Sequence, residues 1–260
     1  MKKNYTDLNI LLDGSGSMEL FKEDVIGGIT KLINEQKEVE GNCTLTLVQF
    51  DYSPFYENAF NGNILPNVNA PIVNIINYPN GTATSTKYIQ NSSFTGNQRN
   101  GYQVVYDAVD IKKVETSLIA KSYCPRGNTA YLDAIGKLID DTGERLRKLS
   151  EDERPEKVVV VIYTDGMENA SVKFSRKDIG KKIKHQTEVY NWEFTFLGAN
   201  FDVLAESQSL GIQSAAALNY SQDANGISKG FSVLSENLRS YRAGLSANIS
   251  YSDEDRELVK

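Results

Sequence analysis

A chain of 260 residues holds one large domain or two small ones, at roughly 150 residues per domain. Hydrophobic residues make up 40% and charged residues 24%, the balance of a soluble globular protein. The formal net charge of −6 argues against non-specific nucleic-acid binding, which cation contacts to phosphate drive, so no nucleic acid is expected as a partner. No apolar run nears the about 18 residues of a membrane-spanning helix, so no membrane is expected either. The single histidine, His185, excludes paired-His metal sites, and the two cysteines, Cys43 and Cys124, exclude a Cys-rich zinc site. Any metal should then be hard and held by oxygen. The first apolar stretch (Leu8, Ile10, Leu11, Leu12) is short and runs into a Gly/Ser turn, which reads as a strand and not a signal peptide. The expected location is cytoplasmic, with both cysteines reduced.

Residues 7–13 (DLNILLD) have the pattern of a buried parallel strand ending at Gly14. Apolar positions Phe21, Val25, Ile29, Leu32 and Ile33 follow at helical spacing over 20–36. Residues 44–50 (TLTLVQF) predict a second strand. From 53 to 101 the composition shifts: these 49 residues carry 11 Asn and four of the six prolines but only three charges, Glu57, Lys87 and Arg99. Recurring aromatics (Phe55, Tyr56, Phe60, Tyr78, Tyr88, Phe94) argue for an ordered, loop-rich insertion with short strands near 71–78 and 86–90.

A helix is predicted over 130–149, with Leu132, Ile135, Leu138, Ile139, Leu146 and Leu149 on one stripe. Residues 157–164 (KVVVVIYT) form the strongest strand in the chain. Ser175 and Asp178 open a helix over 175–185 in capping-box style. Residues 193–199 and 214–220 are weaker strands, and 223–242 is a helix with Ile227, Phe231, Leu234, Leu238 and Tyr241 on one face. Alternating strands and amphipathic helices predict an α/β doubly wound sheet with helices on both faces. The main domain is expected over 1–245, and the polar, acidic tail 246–260 is expected to be disordered.

Asp13-Gly14-Ser15-Gly16-Ser17 sets one carboxylate and two hydroxyls at alternate positions on a tight turn. Gly14 and Gly16 let the backbone curl so that the oxygens converge, which suits a small hard cation. Asp165, in Thr164-Asp165-Gly166, ends the strongest strand as Asp13 ends the first. Ligands of doubly wound sheets bind beyond the carboxyl ends of strands, so the two Asp belong to one candidate site. Thr129, after the Gly127-Asn128 turn, presents a third hydroxyl.

These three elements, in this order, resemble the metal-ion-dependent adhesion site of the von Willebrand factor A-type domain. Tyr123–Ala130, Tyr163–Asn169 and Phe196–Asn200 look like stand-alone bacterial and phage members of that family. The resemblance covers 5–52 and 102–243. It implies a six-stranded, mostly parallel sheet of order 3-2-1-4-5-6, with strand 3 antiparallel at about 103–111. It further implies that Ser15 and Ser17 bind the metal directly, that Thr129 binds directly or through water, and that Asp13 and Asp165 act mostly through water and hydrogen bonds. One coordination position is then left for an Asp or Glu side chain of a partner protein. The implied cofactor is Mg²⁺, with Mn²⁺ or Ca²⁺ possible at an oxygen-only site. The family pattern has Gly-Gly-Thr where this chain has Gly127-Asn128-Thr129, a change that Asn tolerates well.

Gly14, Gly16, Asn128, Glu168 and Asn169 lie next to the ligand in this reading, although Glu168 and Asn169 serve equally well as loop caps. Gly226-Ile-Ser228-Lys-Gly230 matches a nucleophile-elbow pattern but falls inside a helix pattern. The basic run Lys173, Arg176, Lys177, Lys181, Lys182 and Lys184 reads as the solvated face of a helix. The expected function is divalent-cation-dependent protein binding, without enzymatic activity. The alternatives are a Mg²⁺-dependent hydrolase or phosphoryl-transfer enzyme, which the lack of a GxxxxGK[ST] loop disfavours, and a structural assembly protein of the virion type. The insertion is expected beside the metal face.

Overall fold

The structure is a computed structural model and describes residues 1–52 and 101–260. The strands are β1 (Lys2–Asp13), β2 (Asn42–Phe50), β3 (Tyr102–Asp110), β4 (Pro155–Tyr163), β5 (Glu193–Gly198) and β6 (Ala217–Asn219). They form one sheet in the order β3-β2-β1-β4-β5-β6. β3 runs antiparallel to β2, and all other pairs are parallel. The helices are α1 (Lys22–Lys37), α2 (Ser117–Ser122), α3 (Tyr131–Arg147), α4 (Arg176–Tyr190), α5 (Val203–Ser209), α6 (Ala224–Arg242) and α7 (Asp253–Leu258).

The period of two along β1 divides the core. Leu8, Ile10 and Leu12 face a layer that includes α1 and α6, and Leu11 faces the layer of α3 and α4. β1 and β4 are buried by helices on both sides, which is why they read as near-continuous apolar runs. α1 and α6 cross closely at Gly28, where a Cβ would lie 2.1 Å from the Phe231 ring. The capping box of α4 forms as its sequence predicts: the Ser175 hydroxyl accepts from Asp178 N, and the Asp178 carboxylate accepts from Ser175 N at 3.1 Å. Gly226–Gly230 lies inside α6 and does not form a strand–turn–helix elbow.

Two expectations need correction, and two short helices were not expected. The strand expected over 214–220 shrinks to Ala217–Asn219, because Ser214–Ala216 forms a 3₁₀ turn. α2 and α5 are too short for a periodic signal to emerge. The tail over 246–260 is not disordered: it carries α7, and Ile249, Tyr251 and Val259 are buried in the core. Its acidic run is the outer face and first turn of a helix with its own capping box, Ser252 with Asp255. The domain therefore continues past residue 245. The short strands expected at 71–78 and 86–90, and the expected insertion itself, lie outside the described residues. Among the described residues no helix is long and apolar enough to cross a membrane.

Asp7 and Asn9, on the α3 side of β1, are fully buried. Arg145 Nη2 donates to Asp7 Oδ2 at 2.9 Å, Thr44 Oγ1 donates to Asp7 Oδ1 at 2.8 Å, and Thr142 Oγ1 donates to Asn9 Oδ1 at 3.2 Å. Removing one partner of a buried ion pair leaves a stranded charge, which costs about 3–5 kcal/mol. Arg145→Leu should lower stability on that scale in urea unfolding, while Lys148→Leu, at the exposed C-cap of the same helix, should leave it nearly unchanged.

Candidate metal centre

β1 and β4 are neighbours in register, with Leu12 level with Tyr163. Their ends therefore bring Asp13 beside Thr164, with Asp165 one residue further on. Thr164 Oγ1 donates to Asp13 Oδ2 at 2.6 Å, and Ser15 N donates to Asp13 Oδ1 at 2.7 Å. The turn after Asp13 leads into a 3₁₀ helix (Gly16–Phe21). It delivers Ser15 Oγ to 3.1 Å from Ser17 Oγ, and Ser17 Oγ donates to Asp165 Oδ1 at 2.6 Å. Asp13, Ser15, Ser17 and Asp165 thus meet across two strand ends.

Thr129 arrives from the loop before α3. Gly16 N donates to the Gly127 carbonyl at 3.0 Å, and Arg126 N donates to the Gly14 carbonyl at 2.7 Å, so the two loops are bonded together. Gly127 has φ +65°, the left-handed conformation that favours glycine. A Cβ built on Gly166 would lie 3.2 Å from Thr129 Oγ1 and 4.0 Å from Ser17 Oγ. Glycine at 166 therefore keeps open a cradle that two of the hydroxyls line.

Asp13 and Asp165 are 0% and 2% exposed. Burial pushes the Asp13 carboxyl up to about 7, the Thr164 hydrogen bond works against the rise, and the nearby Asp165 charge adds to it. Burial likewise raises Asp165, against hydrogen bonds from Ser17 and Gln222. Among the described residues, no group of three or more His, Cys, Asp or Glu comes together to hold a metal. What converges is three hydroxyls with two carboxylates, an all-oxygen set. That donor set fits a hard divalent cation.

Glu168 is a cap, not a ligand-facing carboxylate. α3 starts after Ala130 with no capping side chain of its own. Glu168 Oε2 accepts from Leu132 N at 2.9 Å in the first turn of that helix, and Oε1 accepts from Ala170 N and Ser171 N at 2.8 and 2.7 Å. Asn169 supports the site indirectly: its Oδ1 accepts from Thr129 N at 2.9 Å, and its own N–H donates to the Thr129 carbonyl at 3.1 Å. Asn128 is exposed, and its backbone pairs with Tyr52. Sequence reasoning missed the roles of Thr164, Tyr123, Asn200 and Gln222. The Tyr123 hydroxyl donates to the Asp13 carbonyl at 2.6 Å, and the Gln222 amide donates to Asp165 Oδ2. The Asp13–Thr164 pairing could have been found from the register of two adjacent parallel strands. Nothing local marks Gln222.

No family model matches the chain, and no curated protein matches its sequence. Among solved structures, its fold matches proximal thread matrix protein 1 from the mussel byssus, with TM-score 0.52 and 12% identity over 92% of this chain and 46% of that one. A second structure of that protein, described with a zinc-occupied MIDAS motif, matches with TM-score 0.50 and 9% identity over 90% of this chain and 46% of that one. The pilus adhesin SpaC of Lactobacillus rhamnosus GG, in its open conformation, matches with TM-score 0.56 and 9% identity over 93% of this chain and 30% of that one. The chain spans less than half the length of each. Together with the sheet order and the antiparallel β3, these likenesses give the chain a von Willebrand factor A-type fold.

Losing a helix cap typically costs about 0.5–2 kcal/mol. Glu168→Ala should lower stability within that range in denaturant unfolding and leave divalent-cation affinity, read by calorimetric titration, unchanged.

Proposed function

We propose that the chain is a divalent-cation-dependent protein-binding module and not an enzyme. Ser15, Ser17 and Thr129 would hold the cation, with Asp13 and Asp165 orienting the shell and balancing charge. The observation that carries this reading is the convergence of Ser15, Ser17 and Asp165 at 3.1 and 2.6 Å beside the Gly166 cradle. Mg²⁺ is the favoured ion, and Mn²⁺ and Ca²⁺ would suit the same donors. A bound cation would supply an electrophilic centre for an anionic ligand, and an Asp or Glu side chain of the partner is the matching chemistry. The likeness in fold to a protein with a zinc-occupied MIDAS motif and to a pilus adhesin supports the class of function.

Each residue has a part in keeping that centre reactive. The hydroxyls are neutral, so they leave the cation's charge largely available to the partner. Asp13 is held by Thr164 Oγ1 and Ser15 N, which fixes its carboxylate beneath the turn. Tyr52, the residue before the segment 53–100, has an N–H that donates to the Asn128 carbonyl at 2.8 Å, next to Thr129. Asp51 N donates to the Gly101 carbonyl at 2.7 Å, and Asp51 pairs with Arg126 at 2.6 Å. Both roots of the insertion thus stand at the site, which supports a share for residues 53–101 in the ligand surface. Cys43 and Cys124 are both free thiols, which suits a cytoplasmic setting.

A ligand that binds only the native state stabilises it by about 2.7 kcal/mol at a hundred times its dissociation constant. Saturating Mg²⁺ or Mn²⁺ should raise the melting temperature of the wild type relative to EDTA. Ser15→Ala and Asp165→Ala should remove the rise. A partner captured by the wild type with Mg²⁺ should be released by EDTA and absent from Asp13→Ala. A melting temperature indifferent to every divalent cation would overturn the reading.

A further inference from the structure

Asp165 is held from two sides. Ser17 Oγ donates to Oδ1 at 2.6 Å, and the Gln222 side-chain amide donates to Oδ2. Gln222 in turn accepts from Asn200 Nδ2, which also donates to the Asp165 carbonyl at 3.3 Å. Asn200 has φ +66°, so its backbone is held in an uncommon conformation at this junction. Gln222 lies on the loop between β6 and α6, and that loop is anchored from the C-terminal segment. The neighbouring Ser221 N–H donates to the Val259 carbonyl at 2.9 Å.

Val259 is 0% exposed and shares the core with Ile249 and Tyr251. Arg256 donates to the carbonyls of Ala217 and Ser214 at 2.6 and 2.9 Å, and Tyr251 N donates to the Ala215 carbonyl at 2.8 Å. The segment is therefore fastened on both sides of α7. The loop has little slack at its other end: a Cβ on Gly226 would lie 2.1 Å from the Ser221 carbonyl oxygen, and Asp223 caps α6 by accepting from Gly226 N at 2.8 Å.

We propose that residues 246–260 are a positioning segment for the metal centre: docked Val259 holds Ser221, and this keeps the Gln222 amide on Asp165. The inference rests on the cation reading above. A carboxylate that accepts an amide on one oxygen cannot rotate freely, so its other oxygen stays aimed at Ser17, one of the hydroxyls that would hold the cation. Partners of this kind, one step removed from the metal, are commonly worth 10–100-fold in affinity. A segment that merely sealed the edge of β6 would not act through Gln222.

The test is Mn²⁺ titration of the full chain, followed by electron paramagnetic resonance, with melting in EDTA measured alongside. Gln222→Ala should raise the Mn²⁺ dissociation constant about tenfold and also lower the EDTA melting temperature, because a buried carboxylate loses a hydrogen bond. Val259→Ala, and the milder Arg256→Ala, should raise it in the wild-type background. Neither should raise it further when combined with Gln222→Ala, because both act through that side chain. An unchanged constant in Gln222→Ala would overturn the proposal, as would equal effects of the tail variants in both backgrounds. A wild type that binds no Mn²⁺ would instead count against the cation reading itself.

Discussion

Two carboxylates end two adjacent parallel strands, and both are buried. Taking a carboxylate out of water costs several kcal/mol even after the protein relaxes. Hydrogen bonds to a charged group return about 1.5–3 kcal/mol each. Asp13 receives Thr164 and Ser15 N, and Asp165 receives Ser17 and Gln222. These bonds offset much of the burial, but they do nothing about the repulsion between the two acids. Burial first, with the Asp165 charge adding to it, pushes the Asp13 carboxyl up to about 7. In the proposed reading, a divalent cation would offset both the burial and the repulsion.

The same strand supplies its own comparison. Asp7 and Asp13 both point to the α3 side of β1, and both are fully buried. Asp7 is paired with Arg145 at 2.9 Å, within a network that also uses Thr44 and Asn9. Its charge is balanced by the protein itself. Asp13, six residues on, faces hydroxyls and a second carboxylate. The contrast separates a carboxylate paired with an arginine from one held by hydroxyls and a backbone N–H beside a second acid.

Much of this was legible because it is local or periodic. β1, β2, β4 and β5, the four long helices and the capping box at Ser175 follow from residue spacing, β3 comes only from the family resemblance, and the DGSGS turn announces its converging oxygens. The ambiguous residues were those whose role depends on distant partners. Glu168 sits beside the Asp165 turn, and nothing in its neighbours says that α3 lacks a cap of its own at Ala130. Once that helix end is seen, the carboxylate has a use that does not involve a ligand. The tail misled for a related reason. Composition averages over its charged residues, while the three that matter, Ile249, Tyr251 and Val259, lie at irregular intervals around a six-residue helix. Gln222 carries no signal at all, because its meaning comes from a loop that meets Asp165 only in the folded sheet.

The loops that bear the site are joined into one layer. Gly14 and Gly16 bond to Arg126 and Gly127, Asn128 bonds to Tyr52 in both directions, and Thr129 bonds to Asn169 in both directions. The Thr129 backbone is therefore fixed between the β2 end on one side and the β4 end on the other. Its hydroxyl takes its place beside Gly166 from these backbone bonds and not from a preference of its own loop. Residues 53–100 are rooted in the same layer through Tyr52 and the Asp51–Arg126 pair. Tyr52, just past the end of β2, is thereby tied to the residue before Thr129, so a shift at that strand end would be passed through one peptide to the third hydroxyl of the candidate site.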